Sequence, residues 1–366
     1  MNPVTPICLS EKLRGCLLGG AVGDALGAPV EFLSLAEIKA TFGAEGIQNY
    51  APAFGRLGAI TDDTQMTLFT AEGLLCSYVR GALRGIASPA SVVSHAYLRW
   101  LWTQGMESKK PKPERVIGLL WGVKELHSQR APGLTCVSAL KAMTQFTDSR
   151  ASNDSKGAGG VMRVAPVAMM FAGEPENASQ AFSLGMQSAA LTHGHPTGFL
   201  AAGAFAVILH AIFCDENINV GIDRAKQYLA KQDAHEETLS SIEKGVALAG
   251  TDLRPDDAIR NIGEGWVAEE ALGIAIYCAL KAVDFRHGVL IAVNHDGDSD
   301  TTGSMVGQLL GATYGISGIP YDWLSPLELR EIIEQVADDI TDHWSWNLDY
   351  MSEAYDEAVV KRYPGG

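Results

Sequence analysis

Two ladders of glycine constrain this chain more than any other feature in it. Gly15, Gly19, Gly23 and Gly27 recur every four residues near one end, and Gly303, Gly307, Gly311 and Gly315 do the same near the other. Four-residue spacing draws a slanting ridge along one side of a helix. Glycine inside a helix costs about 1 kcal/mol relative to alanine, so repeated glycine needs a packing reason. Close approach of another backbone supplies one. The ladders predict two helices packed antiparallel through their glycine ridges; the competing arrangement has each ladder receive some other helix. Antiparallel packing would set Glu31, just past the first ladder, beside Asp298 and Asp300, just before the second.

The rest of the chain is also helical in pattern. Apolar residues recur at three- and four-residue spacing, with abundant Ala and Leu, over 11–25, 64–80, 90–102, 115–126, 198–213, 238–249, 268–283, 304–314 and 326–339. No βαβ rhythm is present, although short strands stay open. Breaks fall near 109–113, 147–157, 215–219 and 251–257, and none has the length of a linker. The expected fold is all-α: one domain over 1–366, a compact orthogonal helical bundle with a central binuclear metal cleft built by both chain ends.

With 47% hydrophobic residues in 366, the chain can bury a large core. Its formal net charge of −15 and lack of a dense Lys/Arg run argue against nucleic acid and against an anionic membrane as partners. The six cysteines contain no CxxC pair, which fits reduced core thiols and a cytoplasmic protein. The N-terminal apolar stretch carries Asp24 and Glu31 and lacks the pattern of a secretory signal. The most apolar run, 199–213, is shorter than the ~20 residues that span a bilayer, so a buried core helix is expected there.

Chemistry concentrates in two clusters. Thr61-Asp62-Asp63-Thr64 and Asp298-Ser299-Asp300-Thr301-Thr302 each combine carboxylates with hydroxyls, and each precedes a helical stretch. Helix capping explains one or two such residues. It does not require adjacent aspartates, which repel unless a positive charge lies between them. Brought together, the clusters form an all-oxygen pocket suited to two hard divalent cations, Mg²⁺ or Mn²⁺. An EF-hand is excluded for the second cluster, because the twelfth position counted from Asp296 is Gly307 and not a bidentate Glu. A binuclear site points to hydrolysis or phosphate-ester chemistry.

Other segments are less specific. Gly157-Ala158-Gly159-Gly160-Val161-Met162-Arg163 is neither a P-loop nor GxGxxG; it is a flexible turn or a cradle for a diphosphate. His193 and His195 have no evident third zinc ligand, and a hydrogen-bonding role is the better reading. Asp24, within an apolar helix, is expected to bond backbone or the groups that support the metal ligands, rather than metal itself. Trp266 is expected in the core, with a base-stacking platform as the alternative. No GxSxG nucleophile is present.

Taken together, the segments GGAVGDALGAPVE (19–31), ITDDTQM (60–66), GAGGVMRVAP (157–166), LTHGHP (191–196), 265–275 and GDSDTTG (297–303) resemble the ADP-ribosylglycohydrolase family, of the dinitrogenase reductase-activating kind. They fall in family order. The resemblance implies an all-α fold with two Mg²⁺ or Mn²⁺ ions, held by Thr61, Asp62, Asp63, Asp298, Asp300 and Thr301. It puts Glu31 at the mouth near the scissile ribose. It assigns diphosphate and ribose binding to Gly157, Gly159, Gly160, Val161, Met162 and Arg163, and a ligand contact to His193.

The implied reaction is hydrolysis at C1″ of an ADP-ribosylated protein side chain. Asp63 is the first nominee for the catalytic carboxylate, with Asp62 or Glu31 as alternatives. The run from Asp298 to Gly303 looks more like arginine-directed members, so ADP-ribosyl-arginine is the expected linkage. Segments 103–156 and 215–263 carry extra length that would select the target or cover the cleft. Two other readings stay open: an immunity or binding protein that neutralises an ADP-ribosyltransferase toxin by occlusion as well as by hydrolysis, and a hydrolase of another conjugate, serine-linked or small-molecule.

Overall fold

The helices Leu9–Gly27 and Ser299–Tyr314 lie against each other, antiparallel and ridge to ridge. Each step of four along one is met by a step of four back along the other. A methyl on Gly15 would stand 2.2 Å from the carbonyl oxygen of Gly311, one on Gly19 2.3 Å from that of Gly307, and one on Gly23 1.9 Å from that of Gly303. At the last step Gly27 packs on the backbone of Ser299 and Asp300, with 2.4 Å available to a Cβ. The antiparallel arrangement expected from the ladders is therefore the one adopted. The computed structural model describes residues 7–365.

The fold is all-α, with seventeen α-helices and no strand among the described residues; two isolated bridges, Ala53 with Arg56 and Gly157 with Val267, are the only extended pairings there. The apolar run becomes the helix Pro196–Phe213, which is 89% buried within the protein. It packs against Ala178–Ala190, Ile218–Leu229, Ala268–Lys281 and Ser299–Tyr314. The six cysteines are unpaired, four of them buried.

One expected helix is absent. Residues 115–126 form a loop with two short 3₁₀ turns, Leu120–Gly122 and Lys124–Leu126. Gly118 adopts φ +131°, and the neighbouring amides are drawn outward: Leu119 donates to the Arg362 carbonyl (3.0 Å) and Leu120 to Glu72 Oε1 (2.9 Å). Apolar spacing there reflects packing on the core, not a helical face. Conversely, two supposed breaks start helices. Asn217 caps Ile218–Leu229 through Val220 N, and Pro255 opens Pro255–Ile262. The C-terminal aromatics divide: Trp346 stacks on buried Tyr363, while Trp344 and Tyr350 are exposed.

Candidate active site

Asp24 ties the first helix to the start of the helix Asp62–Arg84. From inside the first helix its carboxylate accepts from Thr61 N (3.0 Å), from Thr64 N (3.1 Å) and from the Thr64 hydroxyl. It thereby caps the helix Asp62–Arg84 from outside, as its apolar surroundings require of a buried acid. Thr61 is the local cap, its hydroxyl accepting from Asp63 N at 3.2 Å. Capping accounts for Thr61 and leaves Asp62 and Asp63 free of that duty. At the other helix the cap residue, Asp298, makes no side-chain cap bond at all.

Both helix N-termini open on one cleft of about 610 Å³. Glu31, Asp62, Asp63, Asp298, Asp300 and Thr301 line it. Carboxylate oxygens of Glu31, Asp298 and Asp300 lie within 4.8 Å of one another. Asp62 Oδ2 accepts from Gly133 N (3.0 Å), and Asp62 N donates to the Arg130 carbonyl (3.0 Å). That loop is itself held by the buried pair of Arg130 with Glu328, whose Oε2 also accepts from Ile60 N at 3.1 Å. Asp300 Oδ1 accepts from Thr301 N (2.9 Å).

The electrostatics are those of crowded negative charge. Burial, then Asp300, raises Asp24 to about 7; burial, then Asp300 and Asp62, raises Glu31 to about 10. Burial first, with like charges adding to it, holds Asp62, Asp63 and Asp298 well above the usual carboxylate range, and burial also raises Asp300. Among the described residues no lysine or arginine pairs with any of these six acids. Asp63 Oδ1 is buried with no hydrogen-bond partner. An uncompensated set of buried oxygens takes up protons or cations. All are hard donors, so the residues fit Mg²⁺ or Mn²⁺ and do not suit a soft ion.

Opposite the acids, the short turn Ala158–Gly160 and its neighbours pack on the ring of His193. A methyl on Gly157 would stand 3.5 Å from Nε2, on Gly159 3.4 Å from Cε1, and on Gly160 3.2 Å from Nδ1. Gly157, Gly159, Met162 and His193 face the cleft. Gly160 and Val161 are buried behind it. Arg163 departs from the expected role: it is fully buried, its guanidinium over the Tyr97 ring (4.2 Å) and bonded to Thr192 Oγ1 (2.5 Å) and the Ser188 carbonyl (3.3 Å). A cation so enclosed shapes the cleft wall and presents no donor to the cleft. His195 accepts from Thr197 N as the cap of Pro196–Phe213, so the two histidines serve separate purposes.

The ADP-ribosylglycohydrolase family model matches residues 5–349. This chain belongs to that family. It is 27% identical over 336 residues to an ADP-ribosyl-dinitrogen reductase glycohydrolase of Rhodospirillum rubrum, covering 89% of this chain and 94% of that protein. With an ADP-ribosylarginine hydrolase of Pseudomonas putida it shares 26% identity over 352 residues, 93% of this chain and 80% of that one. A solved ADP-ribosylglycohydrolase-related protein complex superposes with a TM-score of 0.58 at 27% identity, covering 91% of this chain and 97% of that chain.

The ADP-ribosylglycohydrolase cleft has parts that the sequence motifs did not reveal. Trp266, expected in the core, is 39% exposed and stands on the rim, stacked on Phe32. Residues 131–136, a short loop running into the helix Leu134–Ala142, form another wall, tied to Asp62 through Gly133. That stretch falls within one of the segments expected to carry extra length, but its residues carry no chemical signature. Phe32 was signalled only by adjacency to Glu31.

His193 gives this ADP-ribosylglycohydrolase an acid sensitivity. Burial, with Arg163 nearby, lowers its pKa to about 3, against about 6.5 in an unfolded chain. Between those values the unfolded state binds a proton that the folded state does not, so stability falls as pH drops below 6.5, by up to about 1.4 kcal/mol per unit. From pH 7 to pH 5 this residue alone costs about 2 kcal/mol. Urea unfolding at both pH values should show His193→Asn losing less stability than the parent by that margin; equal losses would refute the assignment.

Proposed function

We propose that this protein is a metal-dependent hydrolase that removes ADP-ribose from modified protein side chains, and that the linkage it cuts is the N-glycosidic bond to arginine. Glycohydrolysis of an ADP-ribose conjugate follows from family membership. The observation that carries the finer reading is the convergence of Glu31, Asp62, Asp63, Asp298 and Asp300 in one cleft without a countercharge. A full acid set argues for catalysis over simple occlusion of a toxin. The relatives acting on arginine and on dinitrogen reductase support the linkage.

Two hard divalent cations, when bound among these acids, supply positive charge that steadies the charge developing at the scissile ribose. The chain's own residues then divide the remaining work. Asp63, with an oxygen free of hydrogen bonds, takes the proton of the attacking water as the water oxygen bonds to C1″. The electron pair of the broken C1″–N bond goes to the guanidine nitrogen, which is reprotonated from a carboxylate; Glu31 at the cleft and Asp62 are the alternatives for that step. Gly157, Gly159 and Met162, with neutral His193, give the ribose and diphosphate a wall without repelling charge.

Mass spectrometry of arginine-ADP-ribosylated protein tests this. The expected result is free ADP-ribose and unmodified arginine in Mg²⁺ or Mn²⁺, with release lost in chelator and restored by added metal. Cleavage of serine-linked substrate alone would move the linkage, and protection from a toxin without any release would turn the reading to a binding protein.

A further inference from the structure

Phe32 and Trp266 face each other at the cleft, ring centroids 6.0 Å apart and planes within 15° of parallel. Phe32 is 75% exposed. Trp266 is firmly mounted. Its carbonyl accepts from Ala158 N (3.1 Å), and Glu270 Oε2 accepts from the amides of Glu264 (3.0 Å) and Gly265 (3.2 Å) just before it. Phe32 sits in the turn that follows the first helix, directly after Glu31. A planar group held between two rings needs roughly 7 Å. At 6.0 Å between centroids the two rings are an offset-stacked pair in contact, and exposed Phe32 must swing aside to admit such a group.

An ADP-ribosylated arginine offers two planar groups, adenine and guanidinium. Charge separates them. A neighbouring hollow of about 620 Å³ is lined by Asp256, Glu264, Glu270 and Asp296. Glu264 lies two residues from Trp266, and Asp296 two from Asp298. Arg260, also in its lining, is paired with Asp257 (3.2 Å) and Asp296 (3.2 Å). Asp256 is in turn paired with Arg254 and, at 3.8 Å, with Lys39, so the hollow's uncompensated negative charge lies on Glu264 and Glu270, next to Trp266, and it remains when cations in the cleft offset the cleft's own acids. A guanidinium stacks on aromatic faces and gains from that field; neutral adenine gains only the stacking.

We infer that Phe32 and Trp266 are the platform for the guanidinium of the leaving arginine, and that the acidic hollow beside them selects a cationic leaving group. The inference rests on the arginine reading above. The pair positions the departing nitrogen and takes no proton itself.

The test compares Trp266→Leu, Trp266→Tyr and Phe32→Leu with the parent in Mg²⁺. On arginine-modified protein, the leucine variants should lose about 3- to 30-fold in kcat/KM, chiefly through KM, and the tyrosine variant should recover most of it. Affinity for free ADP-ribose, measured by calorimetry, should stay within about twofold, since no guanidinium is present. An equal fall in ADP-ribose affinity would show that the rings hold the base, and unchanged kinetics would show them to be passive; either overturns the inference. Absence of release by the parent overturns the arginine reading itself, and the platform with it.

Discussion

Asp300→Asn abolishes release of ADP-ribose while making the metal-free protein more stable. The two effects have one cause. Asp300 is the acid whose charge bears on all the others: it raises Asp24, Glu31, Asp62, Asp63 and Asp298 alike. In the absence of cations it is a source of repulsion in a buried space. On the metal-dependent reading proposed above, it anchors the cations when they are bound. Loss of an anchoring carboxylate should cost about 4 kcal/mol of transition-state stabilisation, or roughly a thousandfold in rate. The amide keeps the shape and removes the charge, so the metal-free protein should gain about 1–2 kcal/mol. Melting curves with and without Mg²⁺ separate the outcomes. The parent should start lower and rise by several degrees with metal; the variant should start higher and respond little. A variant that keeps the parental Mg²⁺ response would exclude Asp300 from the metal site.

What was legible in the sequence depended on the range of the interaction. The antiparallel pairing of the first helix with Ser299–Tyr314 could be read because glycine at fixed spacing leaves few alternatives for the backbone. The meeting of Glu31 with Asp298 and Asp300 then followed from register alone. Asp24 was legible as a backbone partner because a buried acid must be bonded. Arg163 was misplaced because its fate is set by Tyr97, Thr192 and Cys136, residues far apart in sequence whose convergence leaves no local mark. Trp266 was assigned to the core because most tryptophans are packed, and nothing next to it predicts that Phe32 will stand opposite. The stretch 131–136 was silent for the same reason. It reaches Asp62 with backbone groups, which every residue has. The lost helix at 115–126 shows a limit of periodicity, since apolar spacing cannot register that Glu72 and Arg362 capture the amides from outside.

Gly307→Ala prevents the native packing of the first helix, and Gly81→Ala stabilises the protein, although the two substitutions are chemically identical. A methyl on Gly307 would stand 1.9 Å from the carbonyl oxygen of Gly19 and 2.5 Å from its carbon. Both atoms are backbone in a buried helix, so no side chain can swing aside, and the helices must separate along much of their shared ridge. Overpacking at well-filled sites costs about 1–3 kcal/mol where side chains can adjust; here the cost should exceed about 4 kcal/mol, the range reserved for lost core geometry. At Gly81 a methyl meets nothing within 4 Å in the helix Asp62–Arg84, so alanine should add about 0.5–1 kcal/mol through helix propensity. Gly20→Ala lies between them, because its methyl would stand 2.7 Å from Cγ of the buried Gln308, a side chain that can shift only by straining its bond to the Met162 carbonyl (2.9 Å). Chemical denaturation of the three variants should rank them Gly81→Ala above parent, Gly20→Ala below, and Gly307→Ala lowest or unfolded. The same widening would draw Glu31 away from Asp298 and Asp300, because Gly27 rests on the backbone of Asp300 at the end of the ridge. Any Gly307→Ala protein that still folds should therefore bind Mg²⁺ more weakly than the parent, with every acid of the cleft intact. Parental stability and parental Mg²⁺ affinity in that variant would show that the ridge neither holds the fold nor sets the site.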